Sequence, residues 1–541
     1  MSVLAIHYGN HDANACIYDG EIKHYFLEER FSGKKHDDKH FHIYKNILKV
    51  DEPVDTIVLS YFGDKMYLGD DSLRYTAAFL KAYKKKHGKL PKIIKDCRHH
   101  LFHATGAYYN SGFDDALVVV IDGSGRYEKG FFEAETIYIG GSFEKIYENK
   151  IKTYPWQKGS SMMGLGYLYA SAAVQMGESC LDAGKVMGLS SYGEAETTHI
   201  VNDYYVDDDL FYCKDIHLMF YDENHMNTAQ ELYGKKGLEP IGVVMEAGTL
   251  QLQPNPDSKL TKENYKPYAD FCKEVQIDTQ TVVVKLVRKY LEKTGLHNVC
   301  MTGGYAMNII TNNLLVETFP DVEFYFEPMA TDVGISVGAA MLYSEERKPL
   351  TTTAFHGWHY DLSTFKGTQS IDAKGVAKLL QEQRSVGTYF GHAESGQRAL
   401  GNRSILYDPF AIDGRDVVNR IKKREWYRPF AASVLEEDAH LYFDMKHPSR
   451  FMTQCFYVKS EVPIPAITHI DNTCRVQTVT DGILYELLSE LKKLTGHGII
   501  LNTSFNLAGE PLVETPQQAL DILARCELEY VWFPETMQLF S

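Results

Sequence analysis

The stretch VLAIHYGNHDANACIYDGEIKHYFL, residues 3–27, decides the fold. It sets three apolar runs, 3–8, 13–18 and 22–27, around two turns, Gly9-Asn10-His11-Asp12 and Asp19-Gly20. An Asp-Gly pair between apolar runs is a strong hairpin signal, because glycine supplies the positive φ that a two-residue turn demands. A second stretch, ALVVVIDGSGRYEKGFFEA at 116–134, repeats the plan with Asp122-Gly123-Ser124-Gly125 as its acidic, glycine-bearing turn. Turns of this type aim backbone N–H groups at phosphate and carboxylates at a metal.

Two such units separated by helical sequence point to an α/β chain with a duplicated actin-like ATPase fold. Between them stands His99-His100-Leu101-Phe102-His103, running on as Ala-Thr-Gly-Ala-Tyr-Tyr without proline. On a helix, His99 and His103 at i and i+4 share a face and form a pincer suited to zinc, iron or another first-row ion, which needs at least one more ligand. His100 points away from that face. Farther on, Val283, Leu286, Val287, Tyr290 and Leu291 predict an amphipathic helix that stops at Gly295. A short strand at 298–301 then leads into Thr302-Gly303-Gly304-Tyr305-Ala306-Met307-Asn308, where paired glycines let the backbone approach a ligand. Asp332 follows another short strand and precedes a small-residue helix, which makes it the candidate third ligand, with a helix-capping aspartate as the plain alternative. Gly184-Lys185 opens a glycine-punctuated segment whose lysine either meets a nucleotide phosphate or belongs to a plain loop packed on the core. Residues 194–270 read as irregular.

At 541 residues the chain exceeds one core, and 44% hydrophobic with 24% charged residues describes an ordinary globular protein. No apolar run approaches the roughly 20 residues that span a bilayer, so no membrane partner is expected and the cytoplasm is the expected location. The nine cysteines are dispersed and odd in number, which favours reduced thiols over a disulfide framework. A net charge of −16 argues against nucleic-acid binding by the whole surface. Yet seven lysines and one arginine face a single acid between Lys81 and Arg98, either as a solvated face or as a contact for an anionic substrate.

Residues from Ser344 to about Gly367 read as a connector, and the last 170 or so residues change character. Arg398, Arg403, Lys422, Lys423, Arg424, Arg428 and Arg475 lie in short clusters among glycine and apolar residues, near Asn502 and Ser504. Embedded arginines suggest a cationic pocket, since guanidinium binds phosphate and carboxylate oxygens two at a time.

With these residues in view the chain resembles the O-carbamoyltransferase family that includes the nodulation-factor and aminoglycoside O-carbamoyltransferases. The matching pieces run nearly end to end: His11-Asp12-Ala13, HHLFHA at 99–104, IDGSG at 121–125, GKVMGLSSYG at 184–193, TGGYAMN at 302–308, TDVGISVGAA at 331–340, GQRALGNRSIL at 396–406, KKREWYRPFAASV at 422–434, THIDNTCRVQTV at 468–479 and LNTSFNLAGEPLVETP at 501–516. It departs from the family pattern at Gln397, Asn472 and Ser190-Ser191, without loss of charged groups, and the lysine run lies outside that pattern.

The resemblance implies a duplicated actin-like (ASKHA, Kae1-like) domain over 1–350, a linker over 351–370 and an α+β YrdC-like domain over 371–541. It implies an enzyme that takes ATP, with Mg2+, and carbamoyl phosphate as co-substrates to form O-carbamoyl-adenylate, with Arg398 and Lys423 acting and Arg428, Arg475, Asn502 and Ser504 also binding. The carbamoyl group then passes to an acceptor hydroxyl. His99, His103 and Asp332 hold a divalent metal, Fe2+ foremost, and Asp122, Gly123, Ser124, Lys185, Gly303, Gly304 and Asn308 line the nucleotide site. His11 or Asp12 activates the hydroxyl. The acceptor is a small molecule, with a nucleotide or nucleic acid reached through Lys81 to Arg98 as a further expectation. The rival readings are a threonylcarbamoyl transferase acting on tRNA, a sugar or acetate kinase, and a non-catalytic ATP-binding module.

Overall fold

The computed structural model describes residues 1–9, 11–61, 63, 70–129, 131–152, 164–195, 260–347 and 354–541, with short strands at 204–207, 210–213, 244–246 and 249–251. These gather into two compact units. One comprises Met1–Arg98, Tyr109–Gly112 and Glu327–Ser541; the other comprises His99–Tyr108 and Phe113–Phe326. The units interleave along the chain, so boundaries at 350 and 371 remain a reading of the sequence.

In the first unit a five-stranded sheet runs, edge to edge, Ile22–Leu27, Asn14–Tyr18, Val3–Tyr8, Thr56–Tyr61 and Lys92–Asp96. Val3–Tyr8 pairs antiparallel with Asn14–Tyr18 and parallel with Thr56–Tyr61. Every residue of these three strands is buried, so they lack the in-out alternation of a one-faced sheet. The helix Ile335–Tyr343 covers one face, and its small residues allow a close approach.

In the second unit Leu117–Ile121 pairs antiparallel with Phe131–Ile139, which pairs antiparallel with Glu144–Lys152. On its other side Leu117–Ile121 runs parallel to Asn298–Thr302, and that strand runs parallel to Glu323–Phe326. Strand order and direction therefore repeat those of the first sheet. This is the duplication that the two acidic turns predict.

The C-terminal part of the first unit carries a nine-stranded mixed sheet with Arg403–Tyr407, Ile499–Ser504, Ala431–Leu435 and Thr473–Val479 adjacent near its middle. Residues 348–353 of the expected connector lie outside the described residues. Farther along, Gln369–Ser370 pairs with the last strand, Gln538–Phe540.

Several elements match their sequence signals. The helix His99–Ser111 ends on Gly112 at φ 73°, and the long helix Lys266–Thr294 ends on Gly295 at φ 69°. The latter starts well before its amphipathic signal does. One reading is corrected: GKVMGLSSYG is not a loop, because residues Gly184–Ser190 form a helix. It packs against Lys266–Thr294, and a Cβ on Gly193 would stand 2.0 Å from the Ala269 carbonyl oxygen. That glycine serves helix packing.

Candidate active site

In the second unit, His99 and His103 do project from one face. Their Nε2 atoms lie 3.2 Å apart, and Asp122 Oδ2 lies 3.3 Å from His99 Nε2 and 3.7 Å from His103 Nε2. All three residues are buried. Two imidazole nitrogens and a carboxylate oxygen converging at this range form a donor set of the kind that divalent zinc or iron takes, so the residues fit a metal. Asp122 Oδ2 faces the imidazoles, and its Oδ1 accepts the Gly304 N–H at 3.0 Å. Gly303 holds φ 84°, and a Cβ there would meet the Ile121 carbonyl oxygen at 2.2 Å, so only glycine fits where the loop crosses the strand end.

The other expected nucleotide residues divide. Gly123 faces open space. Asn308 has its amide engaged: Oδ1 caps the helix Ile309–Thr318 at Thr311 N, and Nδ2 donates to Gln276 Oε1 at 3.1 Å. Lys185 Nζ lies 2.6 Å from Glu178 Oε2 and 3.5 Å from Asp182 Oδ2. Gln276 and Tyr169 were not singled out by sequence. Gln276, on the long helix, also receives the Tyr169 hydroxyl. His100 is fully buried and bonds Thr136 Oγ1 through Nδ1 at 2.7 Å. A Cβ on Gly125 would lie 2.4 Å from its ring, so His100 packs beneath the Asp122–Gly125 turn. Burial pushes the His100 imidazole down to about 4, hence neutral.

In the first unit a second group forms around Gly9, His11 and Asp12. A Cβ on Gly9 would sit 2.6 Å from His7 Nε2, so this glycine lets the turn pass the imidazole. Asp332 begins a short 3-10 turn ahead of Ile335–Tyr343, and the Ser336 N–H in the first turn of that helix donates to Asn14 Oδ1 at 3.2 Å. The Asp332 carboxylate lies 3.5 Å from His7 Nε2 and 3.9 Å from His11 Nε2. His11 Nδ1 donates to Asp12 Oδ2 at 3.0 Å and His36 Nδ1 donates to Asp12 Oδ1 at 2.9 Å. Burial works to raise the Asp12 carboxyl, but the bonds from His11 and His36 outweigh it and hold the group well below the usual carboxylate range.

The third group lies beside the nine-stranded sheet. Arg475 on Thr473–Val479 and Asn502 on Ile499–Ser504 flank Ala431 on the strand between them. Arg398, Arg424 and Arg428 are near enough that burial, reinforced by neighbouring guanidinium groups, pushes Arg398 and Arg424 well below the ordinary arginine range and Arg475 down to about 10. Arg428 has Glu425 at 3.4 Å. Lys423, expected to act here, is exposed at the end of the helix Gly414–Lys422 with φ 53°. The inward lysine is Lys422, which donates to Ser504 O, to Asn506 O at 2.8 Å and to Asn506 Oδ1 at 2.9 Å. Burial, then Arg424 and Arg428, pushes its ammonium well below the usual range. Asn502 donates to Ser433 Oγ at 2.8 Å, so its amide ties strands together.

The lysine run divides between two elements. Lys81, Lys84 and Lys85 are exposed on the helix Asp70–His87, and Lys92 and Lys95 are exposed on the edge strand Lys92–Asp96. Lys86 is engaged with Val50 O at 2.7 Å and Asp51 at 2.9 Å. No described helix is long and apolar enough to cross a membrane.

Comparison with known proteins identifies the family. Residues 52–341 match the carbamoyltransferase N-terminus family profile and residues 377–538 match the carbamoyltransferase C-terminus profile. The chain is 28% identical to an uncharacterised protein of Synechocystis over 98% of this chain and 95% of that one. It is 30% identical to the nodulation protein NolNO of Sinorhizobium fredii, covering 81% of this chain and 63% of the relative, and 29% identical to NolO of Bradyrhizobium diazoefficiens, covering 80% and 76%. A solved full-length HypF in its phosphate- and nucleotide-bound form aligns with 63% of this chain and 55% of that one, at 15% identity and a TM-score of 0.35. By both profiles, the chain belongs to the carbamoyltransferase family and is a carbamoyltransferase enzyme.

Proposed function

We propose that the protein is an ATP-dependent O-carbamoyltransferase working in two stages. Carbamoyl phosphate loses its phosphate to water, giving carbamate. A carbamate oxygen attacks the α-phosphorus of ATP, the bond to pyrophosphate breaks, and O-carbamoyl-adenylate forms. The acceptor hydroxyl then attacks the carbamoyl carbon, its proton goes to a base, and AMP leaves. In this reading 1–350 is the Kae1-like transfer domain, 371–541 the YrdC-like adenylate-forming domain, and 351–370 the linker. The repeated strand order of the two smaller sheets supports the actin-like half.

The observation that carries the proposal is the cationic group of Arg398, Lys422, Arg424, Arg428 and Arg475. Arg398, Lys422, Arg424 and Arg475 are depressed by burial and by neighbouring cations, so they gain most from an anion, and carbamoyl phosphate and the ATP triphosphate are such anions. Asp122, Gly123, Ser124, Gly303 and Gly304 are proposed at the nucleotide in the transfer domain, with Lys185 and Asn308 as the outer members of that set. His99 and His103, with Asp332 as the third ligand on the strength of its TDVGISVGAA motif, would hold a divalent ion, Fe2+ foremost, while Mg2+ accompanies ATP. When bound, that ion supplies positive charge against nucleotide phosphate as the carbamoyl group departs. His11 takes the hydroxyl proton on Nε2 and Asp12 orients it through Nδ1.

The test is pyrophosphate release from ATP that depends on carbamoyl phosphate, followed by mass spectrometry for the gain of one carbamoyl group over a panel of hydroxylated compounds. A wild-type chain that releases no pyrophosphate under these conditions sinks the proposal. The exposed Lys81, Lys84 and Lys85 favour an anionic acceptor, such as a hydroxymethylated pyrimidine in a nucleotide or nucleic acid. Their joint replacement by glutamate is expected to lower transfer to anionic members of the panel and to leave pyrophosphate release unchanged.

A further inference from the structure

From the Asp12 cluster we infer that His36 is a positioning residue, which fixes the Asp12 carboxylate and through it the tautomer and direction of His11. The inference rests on the reading of His11 as the base that accepts the hydroxyl proton.

Each oxygen of Asp12 takes one imidazole: Oδ2 accepts from His11 Nδ1 at 3.0 Å and Oδ1 accepts from His36 Nδ1 at 2.9 Å. An ionised carboxylate only accepts, so both rings carry their proton on Nδ1 when neutral, while His11 Nε2 faces the Asp332 carboxylate at 3.9 Å. A single bond from His11 would let the carboxylate rotate about its own axis; the second bond, on the opposite oxygen, stops that rotation. The two imidazoles address different oxygens, with ring centroids 6.2 Å apart and planes 84° to one another.

Three further observations assign His36 to this task. Its Nε2 is buried and has no hydrogen-bond partner among the described residues, so its described polar contact through the ring is Asp12. Both partners hold a conformation that residues other than glycine rarely adopt, Asp12 at φ 53° and His36 at φ 57°. The chain also pins the His36 loop in place: Glu29 Oε2 accepts the His36 N–H at 2.9 Å and Asp37 O accepts the Ala13 N–H at 3.0 Å. A loop held by these bonds, with His36 in the left-handed conformation, presents a ring to one carboxylate.

The experiment uses the full chain labelled with 15N-histidine. Two-bond proton–nitrogen correlations report the tautomer of each imidazole, and the His11 signals are assigned by their loss in His11→Gln. In the wild type His11 is expected with Nδ1 protonated and Nε2 bare. His36→Ala is expected to spread the His11 signals over both tautomers and to lower carbamoyl transfer to whichever panel hydroxyl the wild type modifies, by tenfold or more, with carbamoyl-phosphate-dependent pyrophosphate release unchanged. His36→Asn restores both, because its amide N–H stands close to where Nδ1 stood. An unshifted His11 tautomer in His36→Ala, or a failure of His36→Asn to restore it in a chain that melts at the wild-type temperature, overturns the inference. Absence of pyrophosphate release from the wild type overturns the reaction instead, and leaves the tautomer result to be judged by itself.

Discussion

Lys422 and Lys423 stand side by side, and only their environments separate them. Lys422 is turned in on Ser504 and Asn506, where its ammonium sits among neutral acceptors near two guanidinium groups; Lys423 is in solvent. Lys422→Ala is expected to cut carbamoyl-phosphate-dependent pyrophosphate release by about a hundredfold, which equals roughly 2.7 kcal/mol of activation energy, whereas Lys423→Ala changes it less than about threefold. Steady-state kinetics of both variants decide it, and a larger loss for Lys423 would reverse the assignment. The pair also marks a limit of the sequence, because two adjacent lysines in one basic cluster differ in nothing but the turn of the helix end. Glu135 was likewise silent in sequence. Burial, opposed by bonds from Leu165 N and Asn149 Nδ2, pushes its carboxyl up to about 7 from an ordinary 4.5. The folded chain keeps this proton while the unfolded chain gives it up, so the group costs stability as pH rises from 4.5 to about 7, by on the order of 3 kcal/mol in all. Glu135→Gln is expected to flatten that part of the profile of melting temperature against pH, and an unchanged slope refutes the account.

Among elements, those with a strong period or a strong stop were legible. His99–Ser111 and Lys266–Thr294 end on glycines in the left-handed conformation, and the pincer on the first of them needed only the helical repeat to be seen. Gly184–Ser190 was not legible, since its glycines look like a loop until the neighbouring helix that requires them is known. His36 and Asp12 were invisible as a pair, because nothing in a chain announces which distant loop a carboxylate will meet. The Thr302–Asn308 segment lies between these cases: its paired glycines were plain, but their separate duties were not. Gly303→Ala combines a positive φ with a Cβ 2.2 Å from the Ile121 carbonyl, and Gly123→Ala has neither fault. The first is expected to destabilise the second unit by about 2 kcal/mol or more and the second by less than about 1 kcal/mol. Limited proteolysis compared with the wild type separates them, and equal protection of the two variants would show that the loop does not cross the strand as tightly as the structure has it.

At the scale of the molecule the proposed reaction divides between two chemistries, and they ought to fail separately. The cationic group of the nine-stranded sheet contains no metal-ligating cluster among its described residues, while His99, His103 and Asp122 belong to one and His11, Asp12 and His36 to another. A chelator with a preference for iron and zinc over magnesium, such as 1,10-phenanthroline in excess Mg2+, is therefore expected to stop carbamoyl transfer while pyrophosphate release from ATP and carbamoyl phosphate continues near its starting rate. His99→Ala should behave in the same way without any chelator. Arg475→Ala, on the strand that meets Ala431, should do the reverse: the adenylate does not form, and transfer fails with it because nothing is supplied. The order matters, since a transfer variant that also loses pyrophosphate release would mean that the metal-ligating residues serve the first stage. Metal analysis of the chelated protein completes the experiment: transfer must fall in proportion to the metal removed, and return when Fe2+ is restored to the wild type but not to His99→Ala.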